Sequence, residues 1–261
     1  MQGGKAAVLF VDTFNGHFET ENALAAARVL RAAGYTLHAL HKEGGAHCCG
    51  RTYLGAGMVA QAKAKAEALI DALLPFAQAG IAIVGLEPSC LLTLRDETLV
   101  MGLGAKAQTV ADHALLFEEF VAREAKAGRF SLALGRMDQA LLVHGHCHQK
   151  AFGAVSPILD VLRLIPGADP KLIESSCCGM AGSFGYEAEH FEVSMQMAEL
   201  SLLPAVRAAP DAIVVADGTS CRHQIADGAG REAVHVARLL AGLLAAPGAR
   251  SPAAIGARSG S

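Results

Sequence analysis

The sequence contains no tryptophan, and only 5% of its 261 residues are aromatic. Proteins that bind single-stranded nucleic acid stack the bases on aromatic side chains, so this scarcity argues against such a surface. No long basic run occurs, and a formal net charge of −3 offers no electrostatic attraction to nucleic acid. We therefore expect no nucleic-acid partner.

Long apolar stretches are also missing. A membrane-spanning helix needs about 20 mostly apolar residues, and because no such stretch occurs we expect no membrane span. We also expect no secretory signal, since the short apolar run after Lys5 stops at Asp12 and predicts a buried first strand. The reduced cytoplasm is the expected compartment, and peripheral attachment at the inner membrane face stays open as an addition to it.

Seven cysteines in a chain for which no export signal is predicted are more typical of metal ligands or reactive thiols than of disulfides. The most informative stretch contains Cys177 and Cys178 side by side, followed directly by Gly179. Adjacent cysteines do not readily pair with each other, because a disulfide requires well-separated Cα atoms. Both can present sulfur to one metal centre if the backbone bends sharply, and glycine permits that bend.

The predicted elements follow the same order twice. Apolar runs predict strands at 6–12, 35–40, 81–86, 140–144, 171–174 and 212–216. Alanine-rich segments with glycine or proline at their ends predict helices at about 20–33, 56–79, 91–127, 151–165, 187–208 and 231–246.

The cysteines repeat with these elements. Cys48 and Cys90 recur as Cys177 and Cys221, at offsets of 129 (177 − 48) and 131 (221 − 90) residues. Two agreeing offsets indicate a duplication. We therefore predict two tandem, pseudo-symmetric parallel α/β (Rossmann-like) halves, residues 1–130 and 131–247, followed by a disordered tail over 248–261.

The cysteines are predicted to follow strands or to lie in loops. Ligands of open α/β sheets bind at the carboxyl ends of the strands, so we expect the two cysteine groups to face each other where the halves meet. The second half supplies four: Cys147, Cys177, Cys178 and Cys221. Four thiolates are the usual set for a [4Fe–4S] cluster. Zinc and free redox thiols remain alternatives, although structural zinc sites usually have paired ligands two to four residues apart.

The first half supplies three cysteines: Cys48, Cys49 and Cys90. The position that matches Cys147 falls near Phe14, where there is no cysteine. His17, Asp12 or a water could complete a metal site there. The opposite interpretation, that this half keeps only the fold and binds no metal, is equally open.

Basic side chains flank the second group of cysteines. His146 and His148 are the neighbours of Cys147, and Arg222 and His223 follow Cys221; His144 and His47 lie in the same predicted loops. Such residues could donate hydrogen bonds to cluster sulfurs, carry a proton near neutral pH, or bind a carboxylate substrate. The alternative is that they are solvated loop charges.

At this point the motifs resemble a known family. Two units containing Cys-Cys-Gly are similar to the cysteine-rich domain of the heterodisulfide reductase B subunit, of glycolate oxidase iron–sulfur subunits, and of the C subunit of anaerobic glycerol-3-phosphate dehydrogenase. Residues 146–150, 177–182 and 219–223 most resemble the C-terminal iron–sulfur segments of FAD-linked oxidases. The resemblance covers about residues 6–246.

The chain departs from the five-cysteine pattern of heterodisulfide reductase. Gly218 and Glu87 stand where that pattern has the first cysteine of Cys-x-x-Cys. The resemblance therefore implies one [4Fe–4S] cluster in the second half, with a second in the first half left open. It also implies FAD on a partner, because no Gly-x-Gly-x-x-Gly joins a strand to a helix here.

The leading hypothesis from the resemblance is an iron–sulfur subunit or domain of a flavin-linked oxidoreductase acting on a 2-hydroxy acid of the glycolate or lactate type. Its expected partners are a FAD-containing dehydrogenase and a ferredoxin-type iron–sulfur protein. Two alternatives remain: a metal-free thiol–disulfide oxidoreductase of the heterodisulfide type, and a non-catalytic scaffold that docks a dehydrogenase.

Overall fold

The computed structural model describes residues 5–40 and 47–245. The predicted tail over 248–261 and the start of the loop before Cys48 lie outside these residues. The strands of the described residues are β1 Ala6–Phe10, β2 Thr36–Ala39, β3 Ala82–Gly85, β4 Ala114–Leu116, β5 Leu141–His144, β6 Pro170–Leu172, β7 Ile213–Ala216 and β8 Ala233–Val234.

The helices of the first half are α1 Thr13–His17, α2 Thr20–Ala32, α3 Arg51–Gly55, α4 Val59–Gln78, α5 Pro88–Thr93, α6 Glu97–Val100, α7 Ala105–Ala111 and α8 Phe117–Lys126. Those of the second half are α9 Cys147–Ala151, α10 Ser156–Leu162, α11 Phe191–Glu199, α12 Leu202–Ala208, α13 Thr219–Ala229 and α14 Val236–Gly242, with a 3₁₀ turn at Phe184–Tyr186. Among the described residues no helix is both long and apolar enough to cross a membrane.

The strands form two four-stranded parallel sheets. Their orders are β2-β1-β3-β4 and β6-β5-β7-β8, so the two halves have the same topology. The central strands β1, β3, β5 and β7 are largely buried and apolar, as expected of parallel strands covered by helices on both faces. The predicted fold class is confirmed.

Each sheet contains a fourth strand that the sequence patterns did not predict. The helix predicted over 91–127 is interrupted by β4, and the helix predicted over 231–246 begins with β8. These strands have three and two residues, and each is followed at once by a helix. Runs this short show no periodicity, so pairing with β3 and β7 decides their conformation.

Two predicted helices of the second half are divided. The helix predicted over 151–165 is preceded by α9, whose first residue is Cys147. The helix predicted over 187–208 breaks after Leu200, and Pro204 lies in the first turn of α12, where a missing N–H costs nothing. These differences place Cys147 at a helix N-terminus instead of in a loop.

The halves share one core. Helix α14 packs on α2 of the first half, and α8 packs on α10 of the second. A single apolar cluster therefore contains Leu30 and Phe120 together with Val143 and Leu240. The expected boundary at 130/131 falls between α8 and β5, and it stays a prediction because the core crosses it.

A polar contact at the junction fixes the two halves at the carboxyl ends of β3 and β7. Glu87 caps α5 by accepting from the Ser89 N–H at 3.3 Å, and its other oxygen accepts from the Thr219 N–H at 2.9 Å. Arg222 donates to Glu19 across the same junction and to the Ala216 carbonyl at 2.8 Å. One buried carboxylate thus satisfies the first turns of two helices that belong to different halves.

Candidate metal centre

Three consecutive elements of the second sheet bring cysteines to its carboxyl edge. Cys147 is the first residue of α9, directly after β5. Cys177 and Cys178 lie in the loop that follows β6, and Cys221 is in the first turn of α13, after β7. Because β5 is the neighbour of both β6 and β7, the three segments converge on one point.

The glycine after the vicinal pair allows the loop to approach its neighbours closely. Gly179 has φ +96°, and a Cβ there would lie 2.1 Å from the Ser194 carbonyl oxygen. Gln224, on the helix that carries Cys221, donates to that same oxygen at 3.1 Å. Because Gly179 has no side chain, the cysteine loop can pack closely against α11 and α13.

The four sulfur atoms form a continuous chain of contacts. Cys147 lies within hydrogen-bonding reach of Cys177, which contacts Cys178, which in turn contacts Cys221. Cys178 and Cys221 are buried, whereas Cys147 and Cys177 are half-buried and face the entrance. Residues 74 positions apart in the sequence therefore present their thiols to one small volume.

Neighbouring thiols of this group shift each other's pKa. Hydrogen bonds from Cys147 and Cys178 lower the pKa of Cys177, and the hydrogen bond from Cys178 lowers that of Cys221. The same hydrogen bonds, to Cys177 and to Cys221, raise the pKa of Cys147 and of Cys178. The shifts of neighbouring thiols thus have opposite directions, and a metal that binds all four must displace the protons that they carry.

Lys150 fixes the vicinal loop to the helix of Cys147. Its ammonium donates to the carbonyls of Ser175 and of Ser176, the second at 2.6 Å, and to the Ser175 hydroxyl at 3.3 Å. Burial lowers its pKa, and the neighbouring thiols oppose that shift. A cation that is held beside four thiols offsets the negative charge of the site.

The four predicted cofactor-binding residues lie in different surroundings. His146 caps α9, accepting from the His148 N–H at 3.1 Å, and its Nδ1 is 3.9 Å from the Cys147 sulfur. The guanidinium of Arg222 donates to Glu19, and His223 is hydrogen-bonded to the Tyr186 hydroxyl at 2.5 Å.

His148 connects this site to the first half. Its Nε2 is 3.1 Å from the Arg51 guanidinium, and Arg51 follows the first Cys-Cys-Gly motif and also pairs with Glu97. Burial, then the charges of His146 and Arg51, lower the pKa of His148 to about 4, so the ring is neutral at pH 7. Helices α5 and α9 are also in contact across the junction. The expectation that the two cysteine groups face each other there stays a prediction.

The first half repeats the geometry with one thiol fewer. Cys48 contacts Cys49, which contacts Cys90. Thr13, the first residue of α1, occupies the place that Cys147 has in α9, and its side chain is hydrogen-bonded to Cys48. The fourth position is therefore a hydroxyl, one residue from the predicted position near Phe14. His17, also predicted there, is exposed and lines a cavity of about 260 Å³ at the carboxyl ends of β1 and β2.

Carboxylates surround the first group of thiols. The hydrogen bond from Cys49 lowers the pKa of Cys90, but burial and the charges of Asp12 and Glu87 outweigh it and raise that pKa to about 11. Burial and Glu87 also raise the pKa of Asp12 to about 6, and both its oxygens are used at the start of α1. Contact with Cys49, then burial, raises the pKa of Cys48. This half therefore favours neutral thiols.

The donor set of the second half suits an iron–sulfur cluster. Four convergent cysteine sulfurs are the ligands that such clusters require. A buried imidazole also lies beside them, and its Nε2 has no nitrogen or oxygen partner for a hydrogen bond among the described residues: this is the ring of His144. His144, Cys178 and Cys221 place their donor atoms within 4.8 Å of one another. The sequence placed His144 near the cysteines but gave no reason to select it over its neighbours.

Fold and site together define a tandem α/β protein that gathers cysteines at two equivalent sheet edges. The chain belongs to the family of cysteine-rich domains named for their Cys-Cys-Gly motif, and two copies match at residues 12–95 and 143–226. The proposed resemblance is thereby confirmed.

Curated relatives include dehydrogenase components. The chain is 28% identical over 219 residues to the C subunit of anaerobic glycerol-3-phosphate dehydrogenase from Escherichia coli K12, covering 84% of this chain and 54% of that protein. It is 30% identical over 157 residues to D-2-hydroxyglutarate dehydrogenase of the same organism, covering 59% of this chain and 15% of that enzyme. The chain thus spans about half of the first relative and a small part of the second.

Proposed function

We propose that the chain is an iron–sulfur electron-transfer component of a flavin-linked dehydrogenase. The observation that supports this most strongly is the convergence of Cys147, Cys177, Cys178 and Cys221 beside a lysine and a buried imidazole. These cysteines would hold one [4Fe–4S] cluster, which supplies reversible one-electron transfer when bound. The protein's own part is to position the sulfurs, limit the access of water and set the charge around them.

The first half would then have a different role. Its three thiols, the Thr13 hydroxyl and the nearby carboxylates provide neither four sulfur ligands nor positive charge for an anionic cluster. We propose that a cluster binds in the second half only. Cys48, Cys49 and Cys90 would maintain the packing of the matching loop.

The substrate class rests on the relatives and not on the site. One of them is named for D-2-hydroxyglutarate, a 2-hydroxy acid, and another for glycerol 3-phosphate. We propose that FAD resides on a partner that oxidises a 2-hydroxy acid. A ferredoxin-type protein would then exchange electrons with this chain.

A single observation favours a second function, thiol–disulfide exchange without metal. Cys177 is half-buried, and the hydrogen bond from Cys147 lowers its pKa, which are the properties of an attacking thiolate. Reaction of metal-free protein with a model disulfide tests this function. Slow, uniform reaction of all the thiols would eliminate it.

The test of the main proposal compares equivalent cysteines. Cys177→Ser and Cys48→Ser each change the first cysteine of a Cys-Cys-Gly motif, and both residues are half-buried. After anaerobic reconstitution we expect Cys48→Ser to bind wild-type amounts of iron and sulfide, and Cys177→Ser to lose most of both. Equal retention in the two variants would contradict a cluster in the second half.

A further inference from the structure

His144 is the last residue of β5, and 1% of it is exposed. The last residue of the matching strand β1 is Phe10, which is also buried. An aromatic apolar ring therefore satisfies the packing requirement of this position in one half. The imidazole in the other half needs a chemical explanation, because burying a polar ring has a cost unless its nitrogens are hydrogen-bonded.

The proton on the imidazole can be assigned from its neighbours. The Ser175 hydroxyl oxygen lies 2.9 Å from the His144 Nδ1 and 3.3 Å from the Lys150 ammonium. A lysine ammonium can only donate, so the hydroxyl accepts from it and its own hydrogen is free for another acceptor. The nearest acceptor is the His144 Nδ1, since the alternative, the Ile173 carbonyl, is 3.5 Å away. This arrangement favours a ring hydrogen on Nε2.

This hydrogen points into the cysteine site. The Nε2 has no nitrogen or oxygen partner for a hydrogen bond among the described residues. A ring nitrogen of His144 lies within 4.8 Å of the sulfurs of Cys178 and Cys221, and because Nδ1 is engaged by the Ser175 hydroxyl, Nε2 is the nitrogen left for them. We infer that His144 is a positioning residue whose Nε2–H donates a hydrogen bond to the sulfur of Cys221, held in that direction by Lys150 through Ser175. This inference rests on the proposed function only for its effect on a cluster.

Donation to a ligand sulfur should favour the reduced centre. Reduction adds negative charge to the sulfurs, and an N–H donor stabilises that charge more than it stabilises the oxidised state. Removing the donor should therefore lower the ratio of reduced to oxidised protein about tenfold at a fixed potential. For one electron, a tenfold change corresponds to about 59 mV.

The first experiment needs no metal. In reduced, metal-free protein labelled with ¹⁵N, long-range ¹H–¹⁵N correlation spectra distinguish a hydrogen on Nε2 from one on Nδ1. We expect the His144 ring to carry it on Nε2, and Ser175→Ala to mix the two tautomers. A hydrogen on Nδ1 in the wild type would overturn the inference, whether or not the protein binds a cluster.

The second experiment uses reconstituted protein and a redox titration followed by EPR. His144→Leu removes the donor, His144→Gln supplies an N–H at a similar distance from the backbone, and His113→Leu makes the same change at a histidine hydrogen-bonded to the Thr109 carbonyl in the first half. We expect a more negative potential for His144→Leu, partial recovery for His144→Gln and none of this shift for His113→Leu.

The outcomes separate the two proposals. Unchanged potential in His144→Leu at wild-type iron content would overturn the role of His144 and leave the proposed function intact. Wild-type protein without iron would refute the proposed function, while the tautomer experiment still decides the hydrogen bond. If His144→Leu binds no iron, the potential of His144→Gln and the tautomer of the wild-type ring decide. A His144→Gln potential equal to or above that of the wild type, together with a wild-type ring hydrogen on Nδ1, would overturn the inference.

Discussion

Replacing Gly179 by alanine tests whether close packing of the cysteine loop creates the site. The added Cβ would lie 2.1 Å from the Ser194 carbonyl oxygen and 3.0 Å from the Gln224 amide nitrogen. The oxygen belongs to helix backbone, so the loop must move away from α11. That movement would carry Cys178 away from Cys221 on α13.

The magnitude can be worked out with a second glycine. Gly182 also has a positive φ, +73°, but a Cβ there meets nothing within 4 Å. Gly182→Ala should therefore cost only the conformational penalty, about 1–2 kcal/mol. Gly179→Ala has the same penalty plus overpacking of about 1–3 kcal/mol, which gives about 2–5 kcal/mol together.

Thermal unfolding and iron analysis measure the difference. At about 2–4 °C per kcal/mol for chains of this size, Gly182→Ala should lower Tm by about 2–8 °C and Gly179→Ala by about 4–20 °C. We expect Gly182→Ala to bind iron as the wild type does and Gly179→Ala to bind little. Equal Tm and equal iron content in the two variants would refute the argument that the loop depends on this contact.

Three further predictions concern charged side chains. Lys150→Met should destabilise the protein by about 1.5–3 kcal/mol and reduce the iron retained after desalting, because the carbonyl of Ser176 loses its donor; an unchanged iron content would contradict this role. Glu87→Ala should lower the free energy of unfolding, measured in urea, by about 1–3 kcal/mol, because α5 loses its cap and the Thr219 N–H loses its acceptor. A loss below about 0.5 kcal/mol, which is typical of a neutral surface change, would contradict this role. Hydrogen bonds from Arg129 lower the pKa of Glu124 from 4.5 to about 2, so the stabilisation that Glu124 provides is present above pH 4.5 and lost towards pH 2. The difference in unfolding free energy between the wild type and Glu124→Gln should therefore shrink over that interval. A constant difference would contradict the assignment.

The sequence predicted most of the architecture because the signals were repeated. Buried strands and Ala-rich helices occurred in one order twice, and the cysteines kept their offsets, which correctly indicated two parallel sheets. Strands β4 and β8 escaped prediction because two or three apolar residues carry no period. Their conformation depends on edge pairing with β3 and β7, which local patterns do not encode.

The candidate site was predictable in composition but not in detail. The spacing of the cysteines identified the groups that the structure brings together. The directions of neighbouring side chains depend on tertiary contacts: Arg222 follows Cys221 in sequence, yet its guanidinium is directed at Glu19. His144 became distinct from the other histidines only through its burial and its distance from the thiols.

The most direct measurement is the iron and sulfide content of the wild-type protein after anaerobic reconstitution, together with its EPR spectrum after reduction. A single [4Fe–4S] cluster in the second half predicts about four irons and four sulfides per chain and one paramagnetic signal. Colourless protein without bound iron or sulfide would contradict the central claim.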